Sequence, residues 1–229
     1  MSRQQSADIA RAFSPQGSFG NRYDHYYARA KLASDPLFPG ALAALRGSQA
    51  ALLDIGCGLG LLAHALRADG QSIAYHGIDI DAGKIARAER AAAKASLAHA
   101  RFGAIDLTRG LPMHRGSIAI LDVLQYLDAD AQQALLDAAI AMLVPGARLV
   151  LRAALADSGR RGRATRITDW LGHLSGWMQT TPKHYPHRDA LRAHFAAAGL
   201  QAQFAPLHGN TPFNHTLIVV ERKHAVATP

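Results

Sequence analysis

The stretch Leu52-Leu53-Asp54-Ile55-Gly56-Cys57-Gly58-Leu59-Gly60 constrains this chain more than any other. An apolar run carrying an acid enters a turn with glycine at every second position, and a helical pattern (Leu61, Leu62, Ala65, Leu66) follows at once. A buried parallel strand reads as a short apolar run. Glycines in the turn let backbone approach a ligand with no Cβ between them. The helix that opens next points free N–H groups at whatever lies above the turn. Strand, glycine turn and helix together predict a nucleotide-type cofactor site at the first crossover of an α/β sheet.

Glycine spacing narrows the cofactor. A dinucleotide fold wants G-x-G-x-x-G, because the pyrophosphate sits on the helix N-terminus and the third glycine lets helix and strand pack closely. Here the glycines fall at 56, 58 and 60, and Leu61 occupies the position of that third glycine. Asp54 also sets a carboxylate near a ligand's cationic end rather than near a phosphate. Cys57 within the turn reads as a small residue that fits closely, with no catalytic-cysteine context around it.

From this point the pattern alternates strand and helix, which predicts a parallel sheet with helices on both faces. Strands are expected at 50–55, 73–78, 100–105, 117–122 and 147–153, with helices at 60–68, 82–95 and 130–143. A further helix is expected at 187–198, closed by Gly199. Runs 201–207 and 215–221 leave no room for a helix between them, so they should pair as an antiparallel hairpin. The fold class is therefore α/β: a Rossmann-like, seven-stranded, mostly parallel sheet that ends in a hairpin. Residues 1–20 read as polar, turn-rich and loosely ordered. Residues 21–45 read as two helices broken at Asp35-Pro36, lying as a cap across the cofactor mouth. The domain boundaries that follow are 1–46 for the cap and 47–224 for the cofactor-binding domain.

Ligands of open α/β sheets bind beyond the carboxyl ends of the strands, and three acids sit there. Asp79 ends the second strand, 19 residues after Gly60, where a carboxylate can accept both ribose hydroxyls. Asp106 ends the third, placed to accept from an adenine amino group, with Ile80 and Leu107 as apolar walls for the ring. Asp122 ends the fourth, close to the amino-acid part of such a ligand. The pattern D-x-G-x-G-x-G at 54–60, together with Tyr75-His76-Gly77-Ile78-Asp79-Ile80-Asp81, Ile105-Asp106-Leu107, Ile120-Leu121-Asp122-Val123-Leu124 and Leu143-Val144-Pro145-Gly146-Ala147-Arg148-Leu149, resembles class I S-adenosylmethionine-dependent methyltransferases over residues 50–153. The resemblance implies S-adenosylmethionine above Gly56, Gly58 and Gly60. It implies Asp79 at the ribose, Asp106 at the adenine, and the amino-acid end near Asp54 and the cap.

The acceptor side lies outside these motifs. Arg22-Tyr23-Asp24-His25-Tyr26-Tyr27-Ala28-Arg29-Ala30-Lys31 is rich in tyrosine and basic groups. Tyr26 or Tyr27 could face the sulfonium, and Arg29 could pair with a carboxylate of cofactor or substrate; the same residues would equally serve a cap helix packing on the core. Twelve histidines are available as general bases for a phenol or ring carbon. His184, before a helix, and His25, in the cap, are the candidates, with Tyr26 as a third catalytic candidate. Arg160, Arg161, Arg163 and Arg166 could dock the phosphates of an acyl carrier or coenzyme A thioester, or form a solvated loop. No metal-ligand set is read from the sequence. The runs His25-Tyr26-Tyr27-Ala28-Arg29-Ala30-Lys31-Leu32 and Asn210-Thr211-Pro212-Phe213-Asn214-His215 are similar to methyltransferases of bacterial aryl-polyene pigment pathways, which implies a hydroxyaryl or carrier-bound aryl acceptor.

Composition bounds the remaining possibilities. An apolar fraction of 49% over 229 residues supports a sizeable core. One cysteine excludes an intrachain disulfide and fits a reducing cytoplasm. No run of apolar residues is long enough to cross a membrane. The net charge of +8 attracts acidic partners without selecting among them. Nucleic acid is disfavoured because aromatics do not interleave with the basic run. Two rivals stay open: an NAD-dependent oxidoreductase, opposed by Leu61 and the terminal hairpin, and a non-catalytic cofactor-binding scaffold for a partner enzyme. The oligomeric state is not encoded legibly.

Overall fold

The computed structural model of the chain describes residues 1–15, 22–156, 182–207 and 215–222. The arginine run at 160–166 and residues 210–214 of the tail lie outside them. The chain divides into two compact units, Met1–Met113 and His114–Pro229.

The first unit carries three parallel strands, β1 (Leu52–Ile55), β2 (Tyr75–Asp79) and β3 (Ala100–Ala104). β1 is buried at every position, Asp54 included, as a strand covered on both faces requires. Leu52 pairs with Tyr75 and Tyr75 with Ala100, which brings the carboxyl ends of the three strands level. Two helices follow their strands: α4 (Leu61–Ala68), whose N-cap is Gly60 in the left-handed region, and α5 (Ala82–Lys94), capped by the Asp81 carboxylate on Lys84 N.

Three helices precede β1: α1 (Arg3–Ala12), α2 (Tyr23–Ser34) and α3 (Leu37–Leu45). The helix α1 corrects the expectation of a loose N-terminus. Ser2 and Gln5 form a capping box, with the Ser2 hydroxyl accepting from Gln5 N at 3.1 Å and the Gln5 side chain accepting from Ser2 N at 3.0 Å. Ser6, Ile9, Ala10 and Phe13 then give a buried stripe at helical spacing. All three leading helices pack on α4, and α1 also reaches α5. Phe13 meets the His64 ring of α4 at 4.9 Å between centroids, Lys94 Nζ donates to Ser14 O, and Arg87 of α5 pairs with Asp24 of α2 at 3.1 Å.

In the second unit β4 (Ser117–Leu121) and β5 (Arg148–Ala154) are parallel, with Leu121 opposite Arg152. α6 (Ala129–Met142) lies between them in sequence and is capped by Asp128. After α7 (Arg188–Ala197), β6 (Gln201–Pro206) and β7 (His215–Glu221) form the expected hairpin. β7 also pairs antiparallel with β5, so the last strand lies between its two neighbours. The seven strands follow the order β3-β2-β1-β4-β5-β7-β6, the mostly parallel sheet with a C-terminal hairpin that the sequence predicts.

Candidate active site

The glycine turn is built by three residues that only glycine fills without strain. Gly56, Gly58 and Gly60 have φ of +76°, +56° and +70°. The turn is fastened to the neighbouring strand, because Gly56 N and Cys57 N both donate to Ile78 O, at 2.8 and 3.0 Å. Gly58 N donates to Asp79 Oδ2 at 2.9 Å, and the other carboxylate oxygen accepts from Asp81 N at 2.9 Å. Asp79 thus keeps one lone pair free on each oxygen, the arrangement two neighbouring hydroxyls need. Ile80, next along the chain, is an exposed apolar side chain at 70%.

Gly58 and Gly60 differ in what surrounds them. A Cβ on Gly58 would enter open space, whereas one on Gly60 would lie 2.4 Å from Cε1 of Phe102 in β3. Gly58 is therefore where backbone faces open space, and Gly60 is where backbone meets the core. This geometry fits an adenosyl ligand held by backbone and by Asp79, and it gives the packing reason for glycine at position 60.

Asp54 lies below the turn, buried, and accepts from the Tyr75 hydroxyl at 2.5 Å. Burial raises its pKa to about 7; the Tyr75 hydrogen bond opposes that rise and the neighbouring Asp79 charge adds to it. The Cys57 thiol packs against the backbone of Gly77, where an added Cβ would lie 2.8 Å from its sulfur. Burial and the charges of Asp54 and Asp79 push the thiol far above its ordinary range, so it carries no thiolate.

Asp106 N-caps a short 3-10 turn (Leu107–Arg109). Its Oδ1 accepts from both the backbone N and the hydroxyl of Thr108, at 2.9 and 2.8 Å, which lowers its pKa. Oδ2 carries neither bond. Leu107 beside it is half-buried.

In the cap, His25 Nδ1 lies 2.8 Å from Ala10 O and 3.0 Å from Ser14 Oγ. A proton on Nδ1 donated to the Ala10 carbonyl leaves Nε2 as the basic nitrogen. Tyr26 is 57% exposed and meets the His25 ring edge-on. Tyr27 stacks on Tyr23, with Lys31 Nζ 5.9 Å from its ring centre. Arg29 is exposed.

In the second unit Asp122 adopts φ of +61°, and Arg152 grips both of its carboxylate oxygens, with Nε to Oδ1 at 2.6 Å and Nη2 to Oδ2. Asp122 N also donates to Arg152 O at 3.0 Å. A forked arginine pair of this kind fixes the carboxylate's orientation. Sequence reasoning placed Asp122 but did not assign Arg152; the available signal was a lone charge inside the apolar run of β5.

The second candidate base, His184, sits in a segment tied to the turn after β4. Lys183 N and His184 N donate to Gln125 O at 2.7 and 3.3 Å. The Gln132 amide of α6 donates to Leu124 O, Leu127 O and His184 O at 2.7, 3.3 and 2.9 Å. Gln125 and Gln132 were not singled out from the sequence. Gln125 Oε1 and His184 Nδ1 are buried with no hydrogen-bond partner among the described residues, each a cost of about 1–3 kcal/mol while unpaired.

Residues 53–149 match the methyltransferase domain family. No curated protein matches the chain in sequence. Among solved structures, the chain is similar to magnesium protoporphyrin IX methyltransferase of Synechocystis PCC 6803 with bound S-adenosylhomocysteine, at 18% identity and a TM-score of 0.63, over 94% of each chain. It is also similar to the mitomycin 7-O-methyltransferase, at 18% identity and a TM-score of 0.63, over 88% of this chain and 56% of that one. The pyocyanin biosynthetic protein PhzM gives 16% identity and a TM-score of 0.63, over 93% of this chain and 61% of that one. Residues 53–149 thus match a methyltransferase domain, and the chain has the fold these methyltransferases share.

Proposed function

We propose that the protein transfers a methyl group from S-adenosylmethionine to a hydroxyaryl acceptor, small or carrier-bound, in pigment- or polyene-type secondary metabolism. The observation that carries the cofactor assignment is the Gly58 N–H bond to Asp79 beside the open space in front of Gly58. The aryl acceptor is supported by the cap run 25–32 and by fold neighbours whose names include a mitomycin O-methyltransferase and a pyocyanin biosynthetic protein. The single cysteine supports action in a reducing cytoplasm. Residues 1–46 serve as the cap and 47–224 as the catalytic domain.

Asp79 accepts the two ribose hydroxyls on its free lone pairs. Ile80 and Leu107 flank the adenine, and Asp106 Oδ2 accepts from its amino group. Gly56, Cys57, Gly58 and Gly60 give the backbone surface beneath the ligand. Asp54, ionised when a cation comes near, faces the ammonium of the amino-acid end. Tyr27, Arg29 and Asp122 complete the cofactor-binding set. Bound there, S-adenosylmethionine supplies an electrophilic methyl on a sulfonium. The chain's share of catalysis is to hold the acceptor oxygen in line with that methyl, which is worth up to about 7–11 kcal/mol in favourable systems. His184, or His25 with Tyr26 beside it, takes the acceptor's proton.

Calorimetric titration with S-adenosylhomocysteine and with NADH tests the assignment. S-adenosylhomocysteine should bind and NADH should not. Binding of NADH alone would replace this reading with an oxidoreductase, and tight cofactor binding without turnover on any aryl acceptor would replace it with a scaffold.

A further inference from the structure

We propose that the outer edge of β3 pairs antiparallel with the β3 edge of a second copy of this chain, with the two α5 helices side by side on one face of the joined sheet. β3 ends the sheet. Tyr75 N donates to His99 O at 2.8 Å and Ile105 N to Asp79 O at 2.9 Å, so the odd-numbered residues from His99 to Ile105 bond to β2. The N–H and C=O groups of Ala100, Phe102 and Ala104 therefore point away from it. Such a row is a template for another strand unless proline, a bulge or clustered charge blunts it, and β3 carries only Arg101. Beside this edge lies a groove of about 350 Å³. Phe102 and Arg101 line it from the strand, and Glu89, Ala92, Ala93 and Ser96 from α5. Asp24 and Ser14 of the leading segment meet α5 at Arg87 and Lys94, two turns apart on the other side of that helix.

The strand's own symmetry names the occupant. Phe102 is the middle of the outward-facing set, so an antiparallel copy centred on it sets Phe102 against Phe102, Ala100 against Ala104 and Arg101 against Gly103. Each outward residue then exchanges both of its hydrogen bonds with its opposite. The one arginine of the strand lies over the second copy's glycine, so no like charges stand directly opposed along the pair. The half-buried Phe102 rings meet across the two-fold axis. On α5 the side chains that face across are mostly small, Ala92, Ala93 and Ser96, which lets two helices approach to the ordinary packing distance of about 8–10 Å. Each copy brings one acid, Glu89, and one base, Arg101, to the groove, so the contact adds no net charge although the whole chain carries +8. The same patch serves both copies, and the contact closes at two.

Sedimentation equilibrium of the full chain over a wide range of concentration tests this, with amide hydrogen exchange read residue by residue. The mass should rise from 24.4 kDa to twice that value and no further. The amides of Phe102 and Ala104 should exchange at least about tenfold more slowly at the dimer end of the range. Ala104→Pro removes an outward N–H and no bond to β2, so it should weaken the dimer at least about tenfold. Ala93→Glu, at an exposed helix position, sets a further acid beside Glu89 in each copy and should weaken the dimer by a similar factor. Should Ala104→Pro fail to fold by circular dichroism, Ala93→Glu decides. A chain that keeps the monomer mass throughout would overturn the inference. So would growth beyond two copies, or a dimer whose Phe102 and Ala104 amides exchange as fast as in the monomer and which both variants leave intact.

Discussion

Two buried ionisable residues in the first unit pull stability in opposite directions with pH. His64, packed against Phe13, is held neutral, and burial lowers its pKa from 6.5 to about 4. The unfolded chain therefore binds the extra proton between those values. Stability from His64 is complete above pH 6.5 and lost as pH falls toward 4, on the order of 3 kcal/mol in all. Asp54 has the reverse sign. Its pKa rises from 3.8 to about 7, so the folded chain keeps a proton that the unfolded chain has released. Its contribution is complete below about pH 4 and lost as pH rises to about 7. Urea unfolding at a series of pH values separates them. His64→Leu should flatten the acid limb between pH 4 and 6.5. Asp54→Asn, which can still accept from Tyr75, should remove the opposing slope up to pH 7. Slopes unchanged by either substitution would show that neither group sits in the environment described.

Among elements, the glycine turn separates packing from binding within a few residues. Gly60→Ala must bring a Cβ into the Phe102 ring at a positive φ, so it should cost about 2–4 kcal/mol of stability. Gly58→Ala meets open space and only the φ penalty, about 1–2 kcal/mol. Its methyl enters that space, so S-adenosylhomocysteine affinity should fall more for Gly58→Ala than for Gly60→Ala. Equal effects on affinity would place the ligand elsewhere. At the tips of β4 and β5, Arg152→Leu leaves Asp122 without its forked partner and should cost about 3 kcal/mol. Thermal unfolding should show part of that recovered by Asp122→Asn in the same chain. The turn and the acids at strand ends were legible in sequence because apolar runs, glycines and carboxylates at short spacing determine them locally. α1 was missed because its polar composition hid a capping box whose Ser2 and Gln5 stand at the right separation. Phe102 against Gly60, Tyr75 on Asp54 and Arg152 on Asp122 join residues 42, 21 and 30 positions apart, and no local pattern announces such pairs.

For the whole molecule, the antiparallel β5-β7-β6 edge separates this fold from a dinucleotide sheet, and the sequence announces it because the runs 201–207 and 215–221 are too close for a crossover helix. What sequence does not reach at this scale is the acceptor. Segments far apart in sequence meet only on folding, as those of Gln125 and His184 do. The cofactor claim is better defined, because it converges on one carboxylate that ties turn and strand together. Calorimetric titration of S-adenosylhomocysteine into the unaltered chain and into Asp79→Ala tests it most directly. Loss of two hydrogen bonds to a charged acceptor should raise the dissociation constant at least about tenfold with the fold intact by circular dichroism; an unchanged dissociation constant would contradict the account.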